Sequence, residues 1–243
     1  MAIKPGSLGR PKGPTHRTNE ERNAETRAKL IKAAIHCLRT YGYVATSITL
    51  VAEMAHLSRG AVLYQFGSKV DLMLAVCEYV VKEQNRFMKE RVQQYAPGRD
   101  RWIGLTDATW ESVNQPGSLA LLEIMMATRS DPDLGDRFPP VAKALAESQR
   151  RGAWSLAELA GIKDHDAVDA LSQLHRSAME GMAMRAMSTA DLKSMEPLVK
   201  LLHDYKVYMT DKLIAEAKAE TKTPSASSEE PAKGAKKVQK TKG

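Results

Sequence analysis

Between Tyr41 and Lys69 the chain carries stop and start signals so closely spaced that only short helices fit between them. Upstream, Leu30, Ala34, Cys37, Leu38 and Tyr41 recur at helical spacing, and Gly42 follows as a residue able to end that helix. Thr46 or Ser47 can cap a second helix with Ile48, Val51, Ala52 and Ala55 on its inner face. After a break at His56-Leu57, Ser58 caps a third helix that runs to about Phe66. Gly67-Ser68 stops it, and Ser68 opens a long helix from Lys69 to about Gln94, with Leu72, Val76, Tyr79, Val80 and Phe87 along one side. Two short helices joined by so tight a turn must cross steeply. Ala52 and Ala55 are small enough to let them touch, and Leu57 and Val62 fill the angle. The turn residue His56 is expected at positive φ, which His tolerates better than most non-glycine residues.

The remainder is also helical, with segments expected near 100–114, 117–130, 138–160, 164–188 and 192–219. Breaks fall at Gln115-Pro116-Gly117, Ser130-Asp131-Pro132, Phe138-Pro139-Pro140, Gly161 and Ser188-Thr189. Nothing reads as a strand, so the fold class is all-α, with about nine helices. Residues 1–23 read as a flexible basic arm and 24–69 as a helix-turn-helix domain. Residues 70–219 form a second helical domain, and 220–243 a disordered Lys-rich tail.

Charge is distributed unevenly. Residues 1–69 carry 11 Lys and Arg against 4 Asp and Glu, while 70–217 carry 18 against 22. A basic N-terminal part on a mildly acidic body suggests a polyanionic partner. Cys37 and Cys77 lie within helical patterns and read as buried thiols of a reducing compartment. No apolar run spans a bilayer and no secretory leader is evident, so the expected location is cytoplasmic, without membrane contact. No His, Cys and carboxylate cluster suggests a metal, and no catalytic motif is found. Neither a cofactor nor an enzyme activity is expected.

A steep helix pair of this kind can lay its second helix in the major groove of double-stranded DNA. Arg59, Gly60 and Ala61 open that helix. Arg59 can bond guanine O6 and N7, Gly60 lets backbone approach the bases, and Ala61 can touch a thymine methyl. Thr46, Ser47, Thr49, Ser58, Tyr64, Gln65 and Lys69 are placed for phosphate oxygens, which set register without reading sequence. In the arm, Arg10 lies in a Gly-Arg-Pro tripeptide suited to a narrow minor groove.

These residues carry a resemblance. The run from Thr26 to Val76 resembles the DNA-binding domain of the tetracycline-repressor (TetR) family. The matching pieces are Ala33-Ala34, YGYVATSI at 41–48, VAEMAHLSRGAV at 51–62, and Phe66-Gly67-Ser68-Lys69 followed by Leu72. Leu63, Gln65 and His56 depart from the family's usual Tyr, His and Gly. The resemblance implies a homodimeric repressor released from a palindromic operator when a small molecule binds the second domain and shifts the 69–94 helix.

Two stripes in the second domain suit a dimer interface. One is Val168, Leu171, His175, Ala178, Met179 and Met182, with Gly181 beside it. The other is Met195, Leu198, Val199, Leu202, Tyr205, Met209 and Leu213. Trp102, Trp110, Met125, Met126, Phe138, Trp154, His175 and Met179 are large or adaptable and form the expected lining of a pocket for an apolar effector. A competing reading is a nonspecific architectural DNA-binding protein that uses only the basic arm and tail.

Overall fold

The computed structural model describes residues 18–222. The helices are α1 (Asn19–Ala45), α2 (Ile48–Met54), α3 (Arg59–Phe66), α4 (Lys69–Val92), α5 (Arg99–Val113), α6 (Pro116–Ala127), α7 (Pro132–Arg137), α8 (Pro139–Leu159), α9 (His165–Thr189) and α10 (Glu196–Lys222). A 3-10 turn, Lys193–Met195, leads into α10, and no strand occurs among the described residues. The all-α expectation therefore holds.

Two boundaries differ from the sequence reading. α1 starts at Asn19 rather than near Ala24, because Thr18 and Glu21 form a capping box. The Thr18 hydroxyl accepts from the Glu21 amide at 3.2 Å, and the Thr18 amide donates to Glu21 at 2.9 Å. Five residues assigned to the basic arm are thus helical. The Ser130-Asp131-Pro132 break also begins a helix. Asp131 accepts from the Leu134 amide at 3.2 Å, and Pro132, which has no N–H to leave unsatisfied, occupies the first turn of α7. Arg10, the remainder of the arm and residues 223–243 lie outside the described residues.

The local punctuation works as the residue types dictate. Gly42 sits at φ 74° and breaks α1 before its last residues, and His56 takes φ 52° in the turn between α2 and α3. Ser47, Ser58 and Ser68 each accept from the amide three residues on.

One apolar core runs through both expected domains. Leu30, Ala34, Cys37 and Leu38 of α1 pack with Val51 and Ala52 of α2 and Val62 of α3. Leu72 and Val76 of α4 join them, as do Ala120 and Ile124 of α6 and Leu134 of α7. The boundary drawn at 69/70 is therefore not a break in packing. Both cysteines are free and buried, and burial pushes the Cys77 thiol up to about 12. A second core joins α5, α8, α9 and α10 around Trp102, Ile162, Val168 and Leu171. A third gathers Val113, Leu119, Met179, Met182 and Met195. No helix among the described residues is long and apolar enough to cross a membrane.

The α9 stripe assigned to a dimer interface is largely spent inside the chain, since Val168, Leu171, His175, Met179 and Met182 are all buried. The reason is that helical periodicity marks an apolar face without saying what covers it. The faces left open carry Leu174, Met184 and Met187 on α9 and, on α10, Leu198 and Tyr205 of the expected stripe together with Leu201 and Tyr208.

Candidate functional site

α2 and α3 present one continuous surface. Ser47, Thr49, Ser58, Arg59, Gly60 and Tyr64 are exposed there, with Ala61 half-buried between them. Tyr64 is 82% exposed, so packing within the chain does not account for it. Arg59 is the first residue of α3 and is exposed, which leaves the guanidinium available to an outside partner. The start of α3 also projects its unpaired backbone N–H groups outward, although the Ser58 hydroxyl takes that of Ala61 at 3.1 Å.

Gly60 is informative because the fold does not require it. A Cβ added there would meet only Ser58 Oγ, at an ordinary 3.7 Å, and its φ is not positive. Gly60→Ala is expected to leave the chain as stable or to gain about 0.5–1 kcal/mol from helix propensity. The same change should weaken DNA binding by inserting a methyl between α3 and the groove floor. Thermal melts beside operator titrations check this pair of outcomes, and unchanged DNA affinity would show that backbone does not approach the bases at Gly60.

Three of the expected phosphate contacts are placed differently. Thr46 is fully buried, and its hydroxyl donates to the Gly42 carbonyl at 2.7 Å, so it closes α1 and is withdrawn from the surface. Gln65 is half-buried, with its amide bonded to the Asn23 side chain. Its carbonyl accepts from Arg27 at 3.1 Å, and the Arg27 guanidinium lies 4.4 Å from the Phe66 ring centroid. These residues brace α3 against α1. The Lys69 ammonium donates to the Tyr43 carbonyl at 2.8 Å and sits 4.0 Å from the Tyr43 ring centroid, facing inward. Burial lowers its pKa, while Asp131 acts in the opposite direction. Finally, the first turn of α4 holds its own anion. Ser68 Oγ donates to Asp71 at 2.6 Å and accepts from the Asp71 amide, so a carboxylate already occupies that helix start.

Side-chain links tie α1 and α4, which flank this surface in the chain, to α6 and α7. The Tyr43 hydroxyl donates to Asp131 at 2.5 Å, and the Tyr43 amide donates to Glu123 at 3.4 Å. Arg137 of α7 pairs with Asp71 of α4. Hydrogen bonds from Tyr43 and from Ser68, respectively, hold the Asp131 and Asp71 carboxyls below the usual carboxylate range.

The body contains a cavity of about 790 Å³ enclosed by α4, α5, α8, α9 and α10. Met88, Val92, Leu105 and Leu156 form apolar walls, and Thr106, Ser172, His175 and Lys206 supply polar atoms. Its size suits a drug-like ligand. Of the eight residues expected to line a pocket, only His175 borders this cavity. Met125 and Phe138 border a separate recess of about 180 Å³. Trp102 and Met179 are sealed in the core, and Trp110 packs beside the third core. Trp154 donates to Asp169 at 2.8 Å and stacks on His165, and Met126 is 57% exposed. Large side chains fill the space that they are expected to surround. The signal for Lys206, absent from that expected lining, is a charged residue on the apolar face shared by Leu202, Met209 and Leu213. Among the described residues, no group of three or more His, Cys, Asp and Glu is arranged to hold a metal ion.

Comparison with known proteins agrees with this geometry. Residues 30–76 match the family model for bacterial regulatory proteins of the tetR family. The HTH-type transcriptional regulator CymR of Pseudomonas putida is 27% identical over 190 residues, covering 75% of this chain and 90% of that protein. The HTH-type transcriptional repressor AcnR of Corynebacterium diphtheriae is 22% identical over 185 residues, covering 73% and 90%. A TetR family transcription regulator from Marinobacter aquaeolei superposes with a TM-score of 0.55 at 15% identity, over 77% of this chain and 96% of that one. The multidrug binding protein EbrR, complexed with imidazole, superposes with a TM-score of 0.52 at 22% identity, over 77% and 94%. The family model falls on α1–α4, the segment that builds the α2–α3 surface, and the curated relatives extend through the helical body. The segment 30–76 is a DNA-binding domain of the TetR type, and the rest of the chain is similar to the helical bodies of bacterial transcriptional regulators.

Proposed function

We propose that this regulator is a homodimeric repressor that holds a palindromic operator and is released when a small molecule fills the α4–α10 cavity. The observation that carries the reading is a shared element. α4 contributes Met88 and Val92 to the cavity wall and, at its other end, follows α3 directly across Gly67-Ser68, with Lys69 tying it to α1 and Asp71 to α7. A ligand that displaces α4 shifts α3 with it. Two recognition helices must meet two half-sites together, so a small change in their spacing costs affinity at both.

Two features support the dimer. Leu198, Leu201, Tyr205 and Tyr208 lie at three- and four-residue spacings and form an exposed apolar strip on α10, with Met184 and Met187 exposed on α9. A Cβ at Gly181 would have nothing within 4 Å, leaving α9 open to close approach by a second copy. EbrR, a relative in fold, is a multidrug binding protein, which fits a cavity role for the body.

The experiment is a footprint of the full chain on DNA flanking its own gene at physiological salt. One protected palindrome is expected, with specific competitor far more effective than random DNA. No preferred site would overturn the reading. Loss of all binding on deletion of 1–17 and 223–243, which leaves the α1 cap and α10 intact, would favour the architectural alternative.

A further inference from the structure

The α4–α10 cavity contains a cation with no counter-charge. Lys206 of α10 is 2% exposed and borders the cavity. No carboxylate among the described residues lies within ion-pair distance of it. Its nearest support is the Trp102 ring, with the ammonium 3.1 Å from the ring centroid. Trp102 is itself fixed, because its indole N–H donates to the Thr210 hydroxyl at 3.0 Å. A ring face attracts a cation but does not neutralise it. An isolated buried ammonium is expensive, and a fold retains one only where something compensates it.

Two further polar atoms border the same cavity without partners. The Thr106 hydroxyl of α5 and the Ser172 hydroxyl of α9 are both buried and make no hydrogen bond. Orphaned buried hydroxyls are uncommon, and two of them on residues that line one cavity with an unpaired ammonium form a set of donors awaiting an acceptor. His175 sits beside them. Each of its ring nitrogens lies 2.9 Å from a carbonyl oxygen, of Leu171 and of Leu202, and only a doubly protonated ring can donate to both. Burial opposes that second proton, and an anion in the cavity would favour it.

We infer that the cavity binds a small organic monocarboxylate, its carboxylate held by Lys206, Thr106 and Ser172 and its apolar body lying against Met88, Leu105 and Leu156. A single negative charge matches Lys206, the one buried cation without an ion pair among the described residues of this wall; Arg176 already faces Glu180 at 3.8 Å, and Lys89 and Arg150 are exposed. Burial drives the Lys206 ammonium well below its ordinary pKa, and a bound carboxylate restores the reason to hold that proton. The assignment replaces the apolar effector expected from the sequence. It rests on the cavity being the effector site of the proposed repressor.

The test is calorimetry on the full chain. The probes are the straight-chain carboxylates from hexanoate to dodecanoate together with 4-phenylbutyrate, each paired with its primary amide. At least one acid is expected to bind about 10- to 100-fold more tightly than its amide, the range for charge-assisted hydrogen bonds. Lys206→Met should abolish that preference, and it should melt at or above the wild-type temperature because an uncompensated cation is gone. Thr106→Val and Ser172→Ala, close in shape, should each reduce the preference by a smaller factor and provide a second readout if Lys206→Met folds poorly. Equal binding of acids and amides, binding by no acid, or a preference that survives Lys206→Met would overturn the inference. Repeating the titrations on operator-bound protein separates the two proposals. Acid binding that leaves operator affinity unchanged removes the release reading and keeps the carboxylate site. Release by amides as effective as by acids does the reverse.

Discussion

Arg59→Ala is expected to weaken operator binding by about 1–3 kcal/mol per half-site, roughly 5- to 150-fold, and to relax base preference where the guanidinium reads the groove. Melting temperature should not change, because Arg59 is exposed at the start of α3 and has no structural partner whose loss would be felt. The loss should be larger on the preferred palindrome than on random DNA, since a base contact carries sequence information and a phosphate contact does not. Lys69→Ala makes the comparison. Its ammonium serves the Tyr43 carbonyl and ring, so this change should lower affinity for all sequences alike, through loosening of α4 against Tyr43. Titrations on matched and scrambled duplexes at several salt concentrations distinguish the two. An Arg59→Ala protein that loses specific and random binding equally would remove Arg59 as a base reader.

The largest effect on stability is expected at Trp102. It is fully buried, holds α5 against α8, α9 and α10, and donates its indole N–H to Thr210. Trp102→Ala should cost about 3–5 kcal/mol through lost burial and the void left behind. It also removes the donor to Thr210, whose hydroxyl then keeps only its bond to the Lys206 carbonyl at 2.7 Å, and it takes away the ring beneath Lys206. With a shift of about 2–4 °C per kcal/mol for a chain of this size, the melting temperature should fall by roughly 6–20 °C. Trp102→Phe keeps a ring near Lys206 and should lose less. Denaturant unfolding of the three proteins gives the order directly, and a Trp102→Ala protein as stable as wild type would mean that α5 and α10 repack without it.

Much of the DNA-facing surface is legible in the order of residues. Gly42, Ser47, His56, Ser58, Gly67 and Ser68 act over one to four residues, and each takes the role that its backbone preference or side-chain oxygen dictates. Sequence and fold part where one signal has two readings. Thr18 and Glu21 read as part of a polar arm but form a capping box, and Asp131-Pro132 reads as a break but also starts α7. Thr46 and Gln65 are polar residues beside exposed ones, yet one closes α1 and the other grips Asn23.

Local chemistry therefore determines what this chain settles alone, namely an all-α fold, the positions of α2 and α3, and Arg59 at the head of an exposed helix. Caps, turns and periodicity are short-range, so they survive in the linear order of residues. Tertiary packing decides where empty space remains and which charges lack partners. Trp102 and Met179 fill the core, whereas Lys206, Thr106 and Ser172, drawn from three helices, meet at one cavity. A void is defined by atoms on all its sides, and no periodicity within a single helix records what the other four place opposite it.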